Sequence, residues 1–500
     1  MTASPWMETG GDSAYPPLEG TPRVDVAVIG GGIAGIATAL LLKEAGASVA
    51  VVEAFRVGSG VTGHTTAKVT SLHGLIYDDV RSSFGGDGAR AYAEANQAGL
   101  EWIAERAAEI PCDFRRNSAY TYATKPATRK KLESEVEAAN VAGLPLRLVE
   151  ETPLPYPVEA AVRLDDQAEF HPRRFVLGLA ERIPGAGSFV FENTRATGLD
   201  EGSPCTIETE RGQLTADRVV VASHFPFLDR SLAFARMHPE RSYCLGLRIR
   251  GEAPAGMFIS ADGPTRSVRA HPFEDGELLV VGGEGHKVGQ GGDTSERYDT
   301  LEAFTREHFD VESLDYRWSS QDNMTADGVP YVGALTPVSK RVLYATGFAK
   351  WGLTNGVAAA LMLTDRVLER ENPWADTFDA NRLKPLAQAK DLVKENLNVA
   401  MRFFGDRMRP PTSRSLDELG PGEGAIVSHG GQKVAAYRDE DGKVSAVSPV
   451  CTHLWCQVNW NSAERSWDCP CHGSRFDTDG SVLQGPAVEG LKQRALDQTS

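Results

Sequence analysis

Short, densely apolar runs separated by glycine-rich breaks organise the chain, and their order predicts its elements. Val24 to Ile29 is a β-rich run that ends directly in Gly30-Gly31-Gly32-Ile33-Ala34-Gly35. An Ala/Leu-rich helical pattern follows to Ala45 and is stopped by Gly46, and a second strand, Ser48 to Val52, ends in Glu53. The switch from a buried-strand run to helical spacing and back is that of a parallel α/β unit. Further strands are predicted at Val219 to Ala222, Tyr243 to Ile249, Leu278 to Val281 and Val342 to Thr346, the last leading through Gly347 into an Ala-rich helix. After Arg366 the pattern changes. A polar helix, Lys384 to Asn398, runs into Val399 to Phe404, and Pro410-Pro411-Thr412-Ser413 marks a boundary. Three short, regularly spaced strands follow, at Gly424 to Val427, Lys433 to Tyr437 and Lys443 to Val447.

Five hundred residues predict about three domains. The apolar fraction of 41% and charged fraction of 24% are ordinary for a globular protein. A formal net charge of −16 argues against nucleic-acid binding, which needs a basic face. The first apolar run, Val24 to Leu42, is interrupted by four glycines and is no membrane span. Residues 1–22 are rich in Gly, Pro and Ser and lack a basic stretch before an apolar core. They read as a disordered leader rather than a signal peptide, and the expected location is cytoplasmic.

The glycine-rich turn carries the first chemistry. Gly30 permits a tight turn, Gly32 lets backbone approach a pyrophosphate, and Gly35 lets helix and strand pack closely. The helix N-terminus offers amide donors and a positive dipole end to phosphates. Glu53 is placed to accept from ribose hydroxyls. The pattern alone does not separate FAD from NAD. Leu278 to Gly285 resembles a second such turn, but it would need glycine where Val288 stands, and no helical pattern follows. One dinucleotide site is therefore expected, which disfavours direct reduction by NADH.

The second chemistry lies near the C-terminus. Cys451-Thr452-His453 is followed, fifteen residues on, by Cys469-Pro470-Cys471-His472. Two loops that each supply one thiolate and one imidazole suit a [2Fe-2S] cluster in which Cys451 and Cys469 hold one iron and His453 and His472 the other. Zinc also takes two Cys and two His, but usually from separate Cys and His pairs.

Two resemblances add to this. The stretch Gly58 to Lys68, the Glu169-Phe170-His171-Pro172 segment, the Val219–Ala222 strand, Asp327 to Gly333 and Gly347 to Thr354 resemble flavoproteins of the D-amino-acid oxidase superfamily over about residues 23–375. The resemblance implies FAD, a Rossmann-type FAD-binding domain (about 23–100, 160–235 and 320–375) and an antiparallel-sheet substrate domain (about 101–159 and 236–319). It implies FAD contacts at Gly30, Gly32, Ile33, Ala34, Gly35, Glu53, Thr62, His64, Thr65, Thr66, Ala196, Gly347, Gly352, Leu353 and Thr354. His64 is open to three readings: a loop residue, a non-covalent flavin contact, or a covalent tether. The catalytic candidates are Lys350 at the flavin edge, His64, and Arg269 as a partner for a substrate carboxylate. His286 and Tyr243 are weaker candidates for the cavity.

The run CTHLWC…CPCHGS, with the three-strand ladder before it and Gly485-Pro486-Ala487 after it, resembles Rieske proteins. That resemblance implies an all-β domain at 413–500, joined by a helical arm at 376–412. It also implies a disulfide between Cys456 and Cys471, the alternative being two free buried thiols. Ser474 occupies the position of a serine that hydrogen-bonds the cluster, and Phe476 that of a tyrosine, so an intermediate potential is expected. Trp455 stands where glycine is common.

Together these predict an α/β protein with a C-terminal all-β domain that oxidises a small amine or amino acid by hydride transfer to FAD N5. Electrons then pass singly through the cluster to an external acceptor, whether redox protein, quinone or oxygen. The alternative is an electron-transfer reductase with no organic substrate, against which the missing second dinucleotide site counts. A Rieske oxygenase would need a large iron-binding domain, and only 28 residues follow His472.

Overall fold

The computed structural model describes residues 4–231, 235–274, 276–382 and 415–496. The apolar runs of the sequence come together in an eight-stranded sheet. Its main path runs Tyr331–Ala334, Val342–Thr346, Gly212–Val221, Arg23–Ile29, Val49–Val52, Phe189–Phe191, and two further strands, Ala196–Asp200 and Cys205–Thr209, branch from Gly212–Val221. The pairings from Val342–Thr346 through to Phe189–Phe191 are all parallel, and the central stretches Val26–Ile29, Val49–Val52, Val219–Val221 and Val342–Ala345 are buried and read as unbroken apolar runs. The Ile33–Glu44 and Gly352–Val367 helices pack against each other, and each begins just after a strand of this sheet and a glycine-containing turn.

A nine-stranded sheet accompanies it, in the order Val311–Thr325, Met237–Ile249, Gly276–Lys287, Arg266–Phe273, Met257–Ser260, Arg115–Ala123, Ala160–Glu169, Lys68–Val69, with Arg147–Val149 on Ala160–Glu169. It is antiparallel except where Met257–Ser260 runs parallel to Arg115–Ala123. The Lys68–Val69 and Ala160–Glu169 strands belong to this sheet although they lie among segments that the sequence assigns to FAD binding. The C-terminal unit holds two antiparallel sheets, Gly424–His429/Gln432–Arg438/Val444–Val447 and Asn459–Asn461/Ser466–Asp468/Arg475–Phe476/Val482–Gln484.

The expected disordered leader is a correction. Ser4 caps a short Pro5–Thr9 helix, and Trp6 is fully buried with its ring edge-on to those of His171 and His271. The Trp6 indole N–H donates to the Thr65 carbonyl at 2.7 Å. Farther on, Tyr15 and Leu18 donate backbone N–H groups to Glu192 and Thr194. One large amphipathic ring with a satisfied N–H outweighs the polar composition around it. At the other end, Arg382 is buried and pairs with both carboxylate oxygens of Asp327 at 2.7 and 3.0 Å. The Lys384–Asn398 helix expected in the arm lies outside the described residues.

Candidate functional site

A cavity of about 820 Å³ is lined by strands of both large sheets, and the C-terminal unit forms part of its wall. At one end is the glycine-rich turn. Gly30 has φ +118°, and a Cβ there would sit 2.4 Å from the Ala222 carbonyl oxygen, while one on Gly35 would sit 2.0 Å from the Gly30 oxygen. The turn therefore accepts only glycine at these places, and it brings Gly30, Gly31, Gly32, Ile33 and Ala34 to the cavity. Gly35 itself packs against the strand, as its role in the motif requires. The helix begins at Gly32 with no side chain of its own over the opening, and Thr62 Oγ1 accepts the Ile33 N–H at 3.1 Å. Glu53 accepts from the Gly31 N–H at 2.6 Å and the Phe55 N–H at 2.8 Å. Burial raises the Glu53 carboxyl above its ordinary value, opposed by those two amides and by Arg195, which also lines the cavity. An open helix N-terminus, an adjacent carboxylate and a cradle that a Cβ would fill together fit a dinucleotide.

Farther along, Thr62, His64, Thr65 and Thr66 line the cavity, as do Phe348, Lys350, Trp351, Gly352 and Leu353. Ala196 also lines it. Three expected contacts do not reach it, Gly35 among them. Gly347, at φ +76°, turns against Thr325, and the Thr354 hydroxyl donates to the Thr70 carbonyl inside the core. His64 Nδ1 is 2.9 Å from the Gly60 carbonyl, and burial depresses its pKa, which favours the neutral ring. The Lys350 ammonium pairs with Glu240 at 2.8 Å. Glu240 is lowered to about 2, first by a hydrogen bond from His238 and then by Lys350. Asp322, also on the cavity wall, is raised to about 6 by burial.

Arg269 is the second correction. It is wholly buried away from the cavity, donates to Glu169 at 2.8 Å and lies over the Trp6 ring at 5.3 Å. One guanidinium nitrogen donates to a buried carboxylate, the group lies over an indole, and Arg269 is not among the residues lining the cavity, so it offers no carboxylate anchor there. Tyr243 is likewise a core residue, with its hydroxyl 3.1 Å from His286 Nε2. Sequence reasoning misses Arg195, Glu240, Arg241 and Asp322, and it gives no role to Lys68 at the end of the Gly58–Lys68 stretch. None carries a spacing signal, because these side chains come to the cavity from separate parts of the chain.

In the C-terminal unit two tight loops face each other. The Cys451 N–H donates to the Cys456 carbonyl at 2.9 Å, and the Cys469 N–H to the Ser474 carbonyl at 2.8 Å. The Cys451 and Cys469 side chains are buried within hydrogen-bonding reach of one another, and the His453 and His472 rings meet edge-on with centroids 5.1 Å apart. Cys456 and Cys471 form a disulfide across the loops, as the resemblance implies. The sulfurs of Cys456, Cys469 and Cys471 lie within 4.8 Å of one another, but oxidation removes two of them as ligands. The remaining donor set is two thiols and two imidazoles from two loops, which fits a [2Fe-2S] cluster. Ser474 reaches Cys451 and accepts the Ala487 N–H at 3.0 Å, while Phe476 is fully buried beside the cysteines with no polar group to offer.

This unit is docked on the nine-stranded sheet and the segments around it. Gln321 donates to the Gly473 carbonyl at 2.9 Å, Thr294 to Asn461 at 2.7 Å, Tyr298 to Glu464 at 2.9 Å and Asn459 to the Gly289 carbonyl at 2.8 Å. Buried Arg241 lies 4.0 Å from Asp468, which Arg475 also pairs with at 3.1 Å. The Phe225 and His472 rings are 6.5 Å apart. Glu464, Arg475 and the Leu483–Val488 segment close the cavity on this side.

A family model for FAD dependent oxidoreductases matches residues 25–366, and one for the Rieske [2Fe-2S] domain matches residues 412–495. A Rieske 2Fe-2S iron-sulfur protein of Bacillus subtilis (strain 168), YhfW, is 36% identical over 496 residues, 98% of this chain and 97% of its own. The gamma-glutamylputrescine oxidoreductase of Escherichia coli (strain K12) is 29% identical over 207 residues, 40% of this chain and 49% of its own. Glycine oxidase from Geobacillus kaustophilus shares the fold, with a TM-score of 0.60 over 73% of this chain and 100% of that one at 20% identity.

Proposed function

Because the chain belongs to the FAD dependent oxidoreductase family and ends in a Rieske [2Fe-2S] domain, we propose that it oxidises a small amine or amino acid and sends the electrons through the cluster to an external acceptor. When bound, FAD supplies a two-electron acceptor for hydride from the carbon next to nitrogen, and the cluster supplies a one-electron carrier. The Gly30–Gly35 turn and Glu53 hold the nucleotide end. His64, Thr65, Thr66 and the Phe348–Leu353 turn surround the reacting end, where the N-terminus of the Gly352–Val367 helix favours negative charge. Lys350, fixed by Glu240, adds a positive charge beside it. Cys451, Cys469, His453 and His472 are the cluster ligands.

One observation carries the relay. The Leu483–Val488 segment lines the same cavity as Gly30 to Ala34, and its Ala487 N–H bonds Ser474, which touches Cys451. The amine or amino-acid class is supported by the names of two relatives, gamma-glutamylputrescine oxidoreductase and glycine oxidase. Anaerobic mixing with a panel of amines, amino acids and hydroxy acids tests the whole. An amine or amino acid is expected to bleach the flavin absorbance and then raise the reduced-cluster EPR signal. Bleaching that never reduces the cluster sinks the relay. Bleaching by a reduced redox protein alone makes the chain a reductase.

A further inference from the structure

Arg241 belongs to the Met237–Ile249 strand, paired with His286 on one side and Gln321 on the other, and only 1% of it is exposed. Its Nη1 donates to the Ser319 hydroxyl and its Nη2 to Gln321 Oε1 at 3.2 Å. Gln321 in turn donates to the carbonyl of Gly473, the residue after His472. On its other side, Arg241 Nε lies 4.0 Å from Asp468, the residue before Cys469. One arginine of the flavoprotein body therefore reaches both ends of the 469–472 cluster loop.

Asp468 is already supplied with donors. It is 1% exposed and accepts from Asn461 and Ser466 at 2.8 Å and from Arg475 at 3.1 Å. Arg475 also approaches Glu464 at 3.8 Å. Arg241 has no such hydrogen-bonded anion. Its two terminal nitrogens bond neutral groups, and among the described residues its Nε has no hydrogen-bond partner. Burial lowers its pKa, with Arg475 adding to the shift and Asp468 and Glu464 opposing it, but a guanidinium stays protonated. A buried cation without a bonded counter-charge is costly. Reducing a cluster held by Cys469 and His472 adds one negative charge nearby, where screening is weak.

We propose that Arg241 is a positioning residue for the cluster, fixing the second ligand loop and raising the cluster's reduction potential with its charge. The potential of the C-terminal domain is then set partly by the flavoprotein body, which compensates for the hydrogen bond that Phe476 does not offer the cysteines. This rests on the relay reading above and deepens it, since a raised potential draws electrons from the flavin toward the cluster.

The test is a mediated dithionite titration of the full chain loaded with FAD and cluster, read from the EPR signal of the reduced cluster. Arg241→Met should lower the equilibrium constant for cluster reduction about tenfold, a shift of about 59 mV for one electron. Arg241→Lys keeps the charge and should recover most of that loss. Asp468→Asn removes the opposing charge and should raise the potential. Opposite signs in the Met and Asn variants separate charge from disturbed packing, which would move both the same way. An unmoved midpoint in Arg241→Met overturns the proposal, as do shifts of one sign in both variants. If Arg241→Met fails to hold a cluster, Asp468→Asn decides: a raised potential supports the proposal, and an unmoved or lowered one overturns it. Failure of the relay reading shows separately, as midpoints that shift as expected in a chain whose substrate-bleached flavin never reduces the cluster.

Discussion

Gln321 of the nine-stranded sheet and Gly473, the residue after His472, meet in a 2.9 Å hydrogen bond from the Gln321 amide to the Gly473 carbonyl. The contact is tight. Gly473 has φ +77°, and a Cβ there would lie 2.5 Å from the Gln321 nitrogen and 2.7 Å from Pro239 Cβ. Only glycine lets the second cluster loop sit this close to the body of the molecule.

Gly473→Ala should therefore loosen docking by about 1–2 kcal/mol from the left-handed backbone alone, with the Pro239 clash added. In rapid mixing with a reducing substrate, flavin bleaching should keep its rate while the cluster signal lags. Equal slowing of both phases would mean that the contact serves general stability only.

Cys456→Ser removes a disulfide that spans a sequence separation of 15 residues. For a loop of this length the loss is about 3 kcal/mol, concentrated in the cluster domain. Thermal unfolding followed by visible circular dichroism of the cluster should move to lower temperature, with the flavin transition less affected.

Arg269→Met leaves Glu169 buried with Arg115 as its remaining ion-pair partner. Breaking a buried pair in this way costs about 3–5 kcal/mol, less whatever Arg115 recovers. The melting temperature should fall while the substrate KM holds. A raised KM with unchanged melting would restore Arg269 to the substrate site.

Glu240 titrates at about 2 in the folded chain, below an ordinary carboxyl. A depressed carboxylate contributes stability that is complete above its unfolded pKa of about 4.3 and disappears as the pH falls toward the folded value. Glu240→Gln should flatten acid unfolding across that window and leave Lys350 without its 2.8 Å partner. An unchanged acid-unfolding profile in the variant would show that the pair contributes nothing there.

Features set by short spacing are legible in the sequence. Gly30 and Gly35 act within one turn, and the Cys451-x-His453 and Cys469-x-x-His472 loops bring their donors together by local chain geometry. The Leu278–Gly285 run reads as a strand and turn, and it lies in the Gly276–Lys287 strand. The N-terminal segment misleads because a few residues, Trp6 and Leu18 among them, are buried in the core, and composition averages over them. Arg269 misleads because a strand arginine facing a cavity and one facing a buried glutamate look alike in sequence.

Both cofactor-binding motifs are therefore encoded locally, since a glycine-only turn and a two-loop ligand set are properties of a few consecutive residues. Long-range packing, in contrast, puts Lys68 rather than Arg269 at the cavity. It also ties the N-terminus into the core through Trp6 and makes the Leu483–Val488 segment a wall of the same cavity as Gly30. Those outcomes depend on which strands pair and which charges are neutralised by residues far away in the chain. Register and charge pairing over such separations are settled by the packed whole.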